Sequence, residues 1–566
     1  MKILSLHTDY IKFKPLKKAL KSVDDISEKD KKGEEVKEAL AIMTAVEKSD
    51  SDVKSVVEKL VEEVKKIAEQ VNVKNIVLYP YAHLSKDLAA PAHAINVLEE
   101  AVKKLKKEKF NVSKAPFGYY KEFEMKVKGH PLSELSREIV VEGEEGKNYD
   151  SEKLLREISK SKLDTSKLKD NDHRILGQQM DLFSFNETAP GMVFFHNNGW
   201  IIWDELIKYW KEVHRNAGYE EIRTPQILDK KLWQISGHWD KYKDNIFLTN
   251  YDNREFAVKP MNCPGGMMVY KNSPKSYKQF PLRSAELGVV HRQELSGTLG
   301  GMFRVVQFTQ DDAHIFCTEK QIEQEVLGIM KIVDLIYGKF GLNYRVELST
   351  RPEKRIGSDK VWDKTEKALE SVLKKNKVDY KVNKGDGAFY GPKIDFHLKD
   401  SLGREWQTAT IQLDMSMPER FDLEYMDKDN KRKRPIMLHR TVLGGIERFY
   451  AILVEHYRGW FPTWLAPIQI RVINFTDKNE PYAKKIIEKI SAEIPNIRID
   501  ADFQSKTVQA KVKDASLMRI PYVIVVGDRE EKENSVAVRT RGNKKIENFS
   551  VDDFVSKLKK EIEERE

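Results

Sequence analysis

The densest chemistry in the chain lies between His291 and Cys317, HRQELSGTLGGMFRVVQFTQDDAHIFC. Arg292 offers a planar guanidinium that makes paired, charge-assisted hydrogen bonds to phosphate and stays protonated. On a strand, Glu294 shares its face, where a carboxylate can accept from the amino group of a base. Phe308 offers a flat ring on which an adenine can stack. Phe303 to Phe308 reads as a strand, and Gln310, Asp311, Asp312 and His314 close the stretch. A strand, a flexible loop of small residues and a returning strand suit a nucleotide whose phosphates must be gripped and released. The same residues, taken alone, also make an ordinary charged surface hairpin.

Two later stretches carry related chemistry. In HRTVLGGIERFYAIL, residues 439–453, Gly444 and Gly445 open a helix and Arg448 follows within about a turn; such a helix start suits a phosphate. In DGAFYGPKIDFHL, residues 386–398, Gly387 and Gly391 let the backbone approach a ligand. Gln407 and Gln412 fall on the strand that follows.

These groups need a scaffold, and the chain is long enough for several. At 566 residues it exceeds one core, so three or four domains are expected. No apolar run approaches the ~18 residues of a membrane span. His7 and Asp9 interrupt any signal-peptide layout at the start. Two cysteines, Cys263 and Cys317, exclude a disulfide framework and point to a reducing cytoplasm. A net charge of +9 permits a polyanionic partner without demanding one.

Residues 1 to about 145 alternate between strand and helix patterns. Lys2 to Phe13 reads as a strand. Ser51 or Asp52 caps a helix with Val53, Val57, Leu60, Val64, Ile67 and Val71 on one face. Asn75 to Tyr81 is a buried strand, Asp87 to Lys107 a second helix, and Tyr119 to Lys128 a half-buried strand. His83, Tyr120, Lys121, His130 and Glu134 cluster at strand ends, where solvated polar residues are also ordinary. A charged, mixed-sign connector follows, with a short helical pattern from Leu154 to Ile158. Aromatic content rises from Asp181. Gly199 to Asn216 is an amphipathic helix leading to a strand that ends at Pro225. Lys259 to Pro264 reads as a proline-flanked loop holding Cys263 in place. Glu319 to Lys339 is a helix and Tyr344 to Thr350 a strand. After Pro467, strands and helices alternate again over about 100 residues, a small α/β domain.

Three of these segments, in order, resemble motifs 1, 2 and 3 of the class II aminoacyl-tRNA synthetases. They are the helix into EEIRTPQIL, the 291–317 stretch, and HRTVLGGIERFYAIL. The closest resemblance is to the threonyl-tRNA synthetase family. It implies an antiparallel-sheet catalytic domain that activates threonine with ATP and magnesium, then passes it to the 3′-hydroxyl of tRNA-Thr. It assigns ATP to Arg292, Glu294, Arg304, Phe308, Gln407 and Arg448. Threonine falls to Met261, Gln310, Asp312, Tyr390 and Gln412. Arg292, Arg448, His238 and Lys393 would be catalytic, with His238 beside the terminal adenosine of tRNA. Motif 1 implies a homodimer.

The resemblance also implies one zinc held by Cys263, His314 and His439, which no spacing rule marks as ligands. Three protein ligands leave an open position. Such a metal serves selectivity, because an apolar pocket separates isosteric threonine and valine by only ~1–3 kcal/mol.

PYAHLS and FGYYKEFEMKVKGHPLSELSR are similar to the editing domain of archaeal-type members of the family. That domain resembles D-aminoacyl-tRNA deacylase and clears serine. The resemblance marks His83, Tyr120, Lys121 and Glu134 as the pocket. The C-terminal module resembles the anticodon-binding domain of several class II synthetases, with Glu530 and Arg539 reading bases; Ser505 stands where relatives usually carry asparagine. The expected architecture is therefore multidomain α/β and α+β. It comprises an editing domain at 1–145, a linker at 146–180, a catalytic domain at 181–465 and an anticodon-binding domain at 466–566. Two rivals are a tRNA-binding relative that has lost catalysis and a prolyl- or seryl-tRNA synthetase. The intact motif arginines and metal ligands argue against the first, and the three-ligand set beside Asp312 against the second.

Overall fold

A single strand of 17 residues, β1 (Lys2–Lys18), organises the first part of the chain. On one side it pairs antiparallel with β2 (Glu34–Ala45); β3 (Asn75–Pro80) and β4 (Asn111–Lys114) then add in parallel. On its other side two strands share its length in succession. β6 (Glu134–Glu138) pairs with Lys2 to Leu6, and β5 (Tyr119–Val127) with Thr8 to Lys18. Two helices, α1 (Val53–Gln70) and α2 (Pro91–Lys107), pack on the sheet. Asp52 caps α1 by accepting from the Lys54 and Ser55 amides, and Val57, Leu60, Val64 and Ile67 are buried at the spacing the sequence shows. The second helix starts at Pro91 rather than Asp87, because proline suits the first helical position, where no amide donor is required.

The computed structural model describes residues 1–20, 23–139, 168–400, 402–543 and 545–566, and the chain divides into two compact units, Met1–Leu154 and Leu155–Glu566. The helical pattern expected from Leu154 to Ile158 lies outside the described residues.

Residues 168–180 do not form a solvated connector. Asp172 caps helix α3 (His173–Gln179), and Leu176 and Met180 enter the main core of the second unit. The next long helix, α4 (Asn197–Asn216), buries Ile202, Leu206, Tyr209 and Val213 as expected, with Trp203 and Trp210 beside them. An eight-stranded, mostly antiparallel sheet supports the rest. Its strands in chain order are β7 (Glu220–Glu221), β8 (Leu282–His291), β9 (Gln307–Cys317), β10 (Asn343–Ser349), β11 (Tyr380–Asn383), β12 (Lys393–Lys399), β13 (Glu405–Asp414) and β14 (Ile436–Thr441). In space the order is β11-β10-β12-β13-β14-β9-β8-β7. Helix α5 (Cys263–Lys271) precedes β8, α6 (Ile322–Lys339) follows β9, and the largely buried α7 (Ile446–His456) follows β14.

Three expectations shift here. β8 ends at His291, so Arg292 and Glu294 stand in the loop beyond it rather than on a strand face. The returning strand starts at Gln307, not Phe303, and runs through Gln310, Asp312 and His314. Cys263 opens α5 instead of sitting in a loop, with Pro264 in the first turn.

The C-terminal module is a five-stranded sheet. Strands Ile470–Asn474, Ile499–Asp502 and Tyr522–Val526 run parallel, and Ser535–Thr540 and Ile546–Ser550 add antiparallel. The expected alternation is present, and the chain ends in a further helix, Val551–Glu563.

Candidate functional site

The β9 strand presents Gln310, Asp312 and His314 on one face by its two-residue period. Its neighbour β14 is in register so that His314 stands directly opposite His439, with ring centroids 5.2 Å apart. The start of α5 delivers Cys263 to the same point. One ligand atom from each of Cys263, His314 and His439 lies within 4.8 Å of the others, and all three residues are buried.

The residues fit a metal. Both ring nitrogens of His314 are buried without a hydrogen-bond partner, a costly state unless something else takes a lone pair. His439 Nε2 lies 2.9 Å from Asp414 Oδ2, so a proton held there leaves Nδ1 free to coordinate. Burial pushes the Cys263 thiol well above its usual range, and a cation at the sulfur would hold it as thiolate. A thiolate and two imidazoles form a zinc-type donor set with one position left open.

This cluster borders a cavity of about 510 Å³. Met261, Gln310, Asp312, Tyr390, Lys393, Gln412 and His439 all line it. Asn262 donates to Asp312 at 3.3 Å, and the Tyr390 hydroxyl donates to Gln412. Lys393 Nζ sits between Asp395 at 2.8 Å and Asp386 at 3.1 Å, which hold it cationic. Gln407 donates to Asp395 at 2.6 Å.

A second cavity, of about 380 Å³, adjoins the first. Arg292, Gln310, Gln407, Thr410 and Thr441 line both. Its remaining walls include Glu294, Arg304, Phe308, Gly445 and Arg448. Arg292 lies over the Phe308 ring, 5.1 Å from its centroid, and donates to the Pro260 carbonyl at 3.1 Å. Glu294 and Arg304 form an ion pair at 2.8 Å. Arg448, in the first turn of α7, donates to the Phe303 carbonyl at 2.8 Å. A Cβ on Gly445 would come within 3.3 Å of the Phe308 ring, so the bare glycine leaves that face open.

Beneath the floor, buried Arg440 pairs with Asp311 at 2.7 Å, and Asp311 also accepts from the Val442 and Leu443 amides. This side of β9 and β14 locks the register that sets the two histidines opposite each other. Asp414, Asn262 and Asp395 were not marked from the sequence. Asp414 had a signal, since it stands two residues from Gln412 on one strand and so shares its face.

His238 lines neither cavity. It is fully buried behind Phe389, ring centroids 5.5 Å apart, with Nδ1 2.7 Å from Ser236 Oγ, and burial pushes its pKa down to about 3.

In the first unit, Lys121 lies inward, 5.1 Å from the Tyr79 ring centroid, and donates to the Pro116 and Tyr119 carbonyls. Tyr79, Tyr81 and His83 form a run of ring contacts, so His83 and Lys121 share one neighbourhood. Tyr120 is 64% exposed. Glu134 pairs with Leu6, which packs in the same apolar cluster as Tyr79 and Tyr81, so it stands on the sheet face that carries this group. Lys121 pairs with Pro15, nine positions further along β1 than Leu6, but Phe13 meets Tyr79 with ring centroids 6.1 Å apart, so the strand curls back over this face.

In the C-terminal module Glu530 accepts from the Gly527 amide at 2.9 Å and caps a short helix. Arg539 lies on the Ser535–Thr540 strand, opposite Val523 and Ile546. Ser505 lies in the loop before the Val508–Leu517 helix, which Thr507 caps.

Three stretches of the chain match known protein families. Residues 1–139 match the archaea-specific editing domain of threonyl-tRNA synthetase. Residues 247–457 match the class II tRNA synthetase core domain (G, H, P, S and T), and 469–561 the anticodon binding domain. A solved RNA binding domain of threonyl-tRNA synthetase from Cryptosporidium parvum Iowa II is covered over 98% of its chain and 69% of this one, at 38% identity and a TM-score of 0.67. The chain belongs to the threonyl-tRNA synthetase family. Among other threonyl-tRNA synthetase relatives, the threonine–tRNA ligase of Desulforamulus reducens is 51% identical over 397 residues, 70% of this chain. That of Natranaerobius thermophilus is 52% identical over 396 residues. The chain spans 62% of the length of these curated relatives. A putative threonyl-tRNA synthetase from Aeropyrum pernix aligns over 96% of its chain and 69% of this one, at 27% identity and a TM-score of 0.60. Giardia lamblia prolyl-tRNA synthetase, covered over 80% of its chain and 69% of this one, shares the fold at 16% identity and a TM-score of 0.54.

Proposed function

We propose that the chain is a threonine–tRNA ligase that also hydrolyses seryl-tRNA-Thr. The observation that carries the reading is the placement of the Cys263–His314–His439 donor set beside one cavity that shares a wall with another built from Arg292, Phe308 and Arg448.

In this reading the second cavity takes ATP with magnesium. Adenine stacks on Phe308, and Glu294 accepts from its amino group. Arg292 and Arg448 bind the phosphates. The threonine carboxylate attacks the α-phosphorus and pyrophosphate leaves. The two arginines offset the charge that builds up, so the chemistry is positional and electrostatic, with no covalent enzyme intermediate. Lys393, held cationic between two carboxylates, faces the same reacting groups.

The first cavity takes threonine. Cys263, His314 and His439 would hold zinc, which when bound supplies a Lewis-acid site for an amine and a hydroxyl together. Asp312 accepts the hydroxyl proton, and Met261, Gln310, Tyr390 and Gln412 enclose the side chain. The 3′-hydroxyl of tRNA-Thr then takes threonine from the adenylate. His238 reaches the terminal adenosine only if the Phe389 segment shifts.

The remaining assignments complete the reading. Lys121, His83, Tyr120 and Glu134 line a hydrolytic pocket in the first unit. Glu530 and Arg539 contact the anticodon. Trp200 and Phe194, both substantially exposed around the start of α4, support pairing of two chains through this helix. Among the described residues no helix is long and apolar enough to cross a membrane; we place the enzyme in the cytoplasm. We take 1–145 as the editing domain, 181–465 as the catalytic domain, extended back to include α3, and 466–566 as the anticodon-binding domain.

The deciding experiment is ATP–pyrophosphate exchange across the twenty amino acids. Strong exchange with threonine, weaker exchange with serine and none with valine are expected. Exchange driven by proline, or by no amino acid, would overturn the reading.

A further inference from the structure

Below the loop that carries Met302 to Arg304 lies a charged cluster that the proposed chemistry does not use. His173, at the head of α3, is fully buried. Its Nδ1 lies 2.8 Å from Glu455 Oε1, which also accepts from the His173 amide at 3.0 Å. On the other side the Met302 amide donates to His173 Nε2 at 3.1 Å. An ionised carboxylate only accepts and an amide N–H only donates. The ring is therefore neutral, with its proton on Nδ1.

Both ends of this bridge are anchored. Glu455, on α7, is also bound by Arg404, which pairs with Asp400 at 2.6 Å and lies over the Phe303 ring at 4.7 Å. Phe303 stacks on Trp406, centroids 4.4 Å apart and planes 6° from parallel. The Phe303 carbonyl is the acceptor for Arg448 Nε. Gly301 records how closely the loop approaches. Its φ is +57°, and a Cβ there would stand 2.3 Å from His173 Nε2.

Asp172, His173 and Glu455 lie close enough together to suggest a metal. Each donor is already matched, however. Arg174 takes Asp172, Arg404 takes Glu455, and both ring nitrogens of His173 are engaged. The cluster holds the loop instead.

We propose that His173 is a positioning residue for ATP: it fixes the Met302 amide and, through the Phe303 carbonyl, the Arg448 guanidinium. This rests on the reading of the second cavity as the ATP site. Losing the Nε2 acceptor frees the loop and lets Arg448 leave its phosphate-binding position, with the zinc-side cavity unchanged.

Two variants of the full chain separate this from a merely structural role. His173→Gln keeps an acceptor near the Nε2 position and loses the Nδ1 donor. His173→Asn keeps a donor toward Glu455 and has no atom that reaches Met302. In pyrophosphate exchange, His173→Asn should lower kcat/KM for ATP by about 10- to 100-fold, the size of effect a displaced positioning group brings. KM for threonine should stay near the wild-type value, and His173→Gln should regain most of the loss. Wild-type ATP kinetics in His173→Asn overturn the proposal. So does an equal loss in both variants that simply follows their melting temperatures. If the wild-type protein exchanges with no amino acid, the functional reading fails instead. Calorimetry with a non-hydrolysable ATP analogue then still decides on His173, since equal affinity in wild type and His173→Asn rejects it.

Discussion

His439 and Asp414 are joined in the buried floor of the site, Nε2 to Oδ2 at 2.9 Å, on adjacent antiparallel strands. The carboxylate orients the ring and makes it a stronger donor at Nδ1. Asp414→Asn should therefore weaken zinc binding by about 10- to 100-fold, as loss of such an outer partner does. Competition with a chromogenic chelator measures this directly. Unchanged affinity would falsify the role given to Asp414. Cys263→Ser should weaken the metal further, because a hydroxyl does not ionise as readily as a thiol at neutral pH.

Arg292→Ala and Arg448→Ala should each lower pyrophosphate exchange on the order of 10²–10³-fold, the usual loss on removing a charge stabiliser. Neither should disturb the fold, since each side chain is tied to it only lightly among the described residues: Arg292 to the Pro260 carbonyl and the Phe308 ring, Arg448 to the Phe303 carbonyl and the Trp406 ring. Near-normal exchange in either variant removes that arginine from the mechanism.

Serine carries the amine and hydroxyl of threonine and lacks one methyl, which is worth only ~1–3 kcal/mol of discrimination. The proposed function therefore calls for a second, hydrolytic pocket. Lys121→Met should leave threonine charging largely intact while seryl-tRNA-Thr accumulates. If pre-formed seryl-tRNA-Thr instead persists with the wild-type protein, the first unit only binds tRNA.

Lys121 also predicts a pH dependence. Burial lowers its pKa to about 8 in the folded chain, below the ordinary lysine value of 10.5. Between these two values the unfolded chain binds more protons than the folded one, so folding becomes more favourable as pH rises. Below about 8 both states are charged and the burial penalty is fully present. Relative to Lys121→Met, wild-type stability should therefore climb from pH 8 to 10. Chemical denaturation of the full chain, followed through the first unit, reads this difference. A constant gap across that range rules it out.

The sequence showed best what depends on local pattern. The faces of α1 and α4 and the strand–helix alternation after Pro467 all appear as periodicity. It failed where pairing decides. Glu34–Ala45 is rich in Glu, Lys, Ala, Leu and Met, good helix formers, and drew no strand assignment. Yet it is paired along both edges, to β1 and β3, and its second half is buried. Tertiary pairing overrode propensity there. Residues 168–180 look like a polar connector in the sequence, yet Asp172 pairs with Arg174 and the neutral His173 ring is hydrogen-bonded within the fold. The candidate metal ligands needed the His314–His439 register, which no local pattern encodes. Family resemblance supplied those residues; spacing did not.

The two cavities share Arg292, Gln310, Gln407, Thr410 and Thr441 as a common wall. Their occupants are therefore neighbours at a fixed separation rather than independent ligands. A stable compound that joins an amino-acid end to an adenosine end meets its second cavity at a high effective concentration once the first is filled. Its affinity should exceed that of either half by about 10²–10⁴-fold without any new contact, provided the link matches the span. It should also leave slowly, because release at one end is followed by rebinding before the other end lets go.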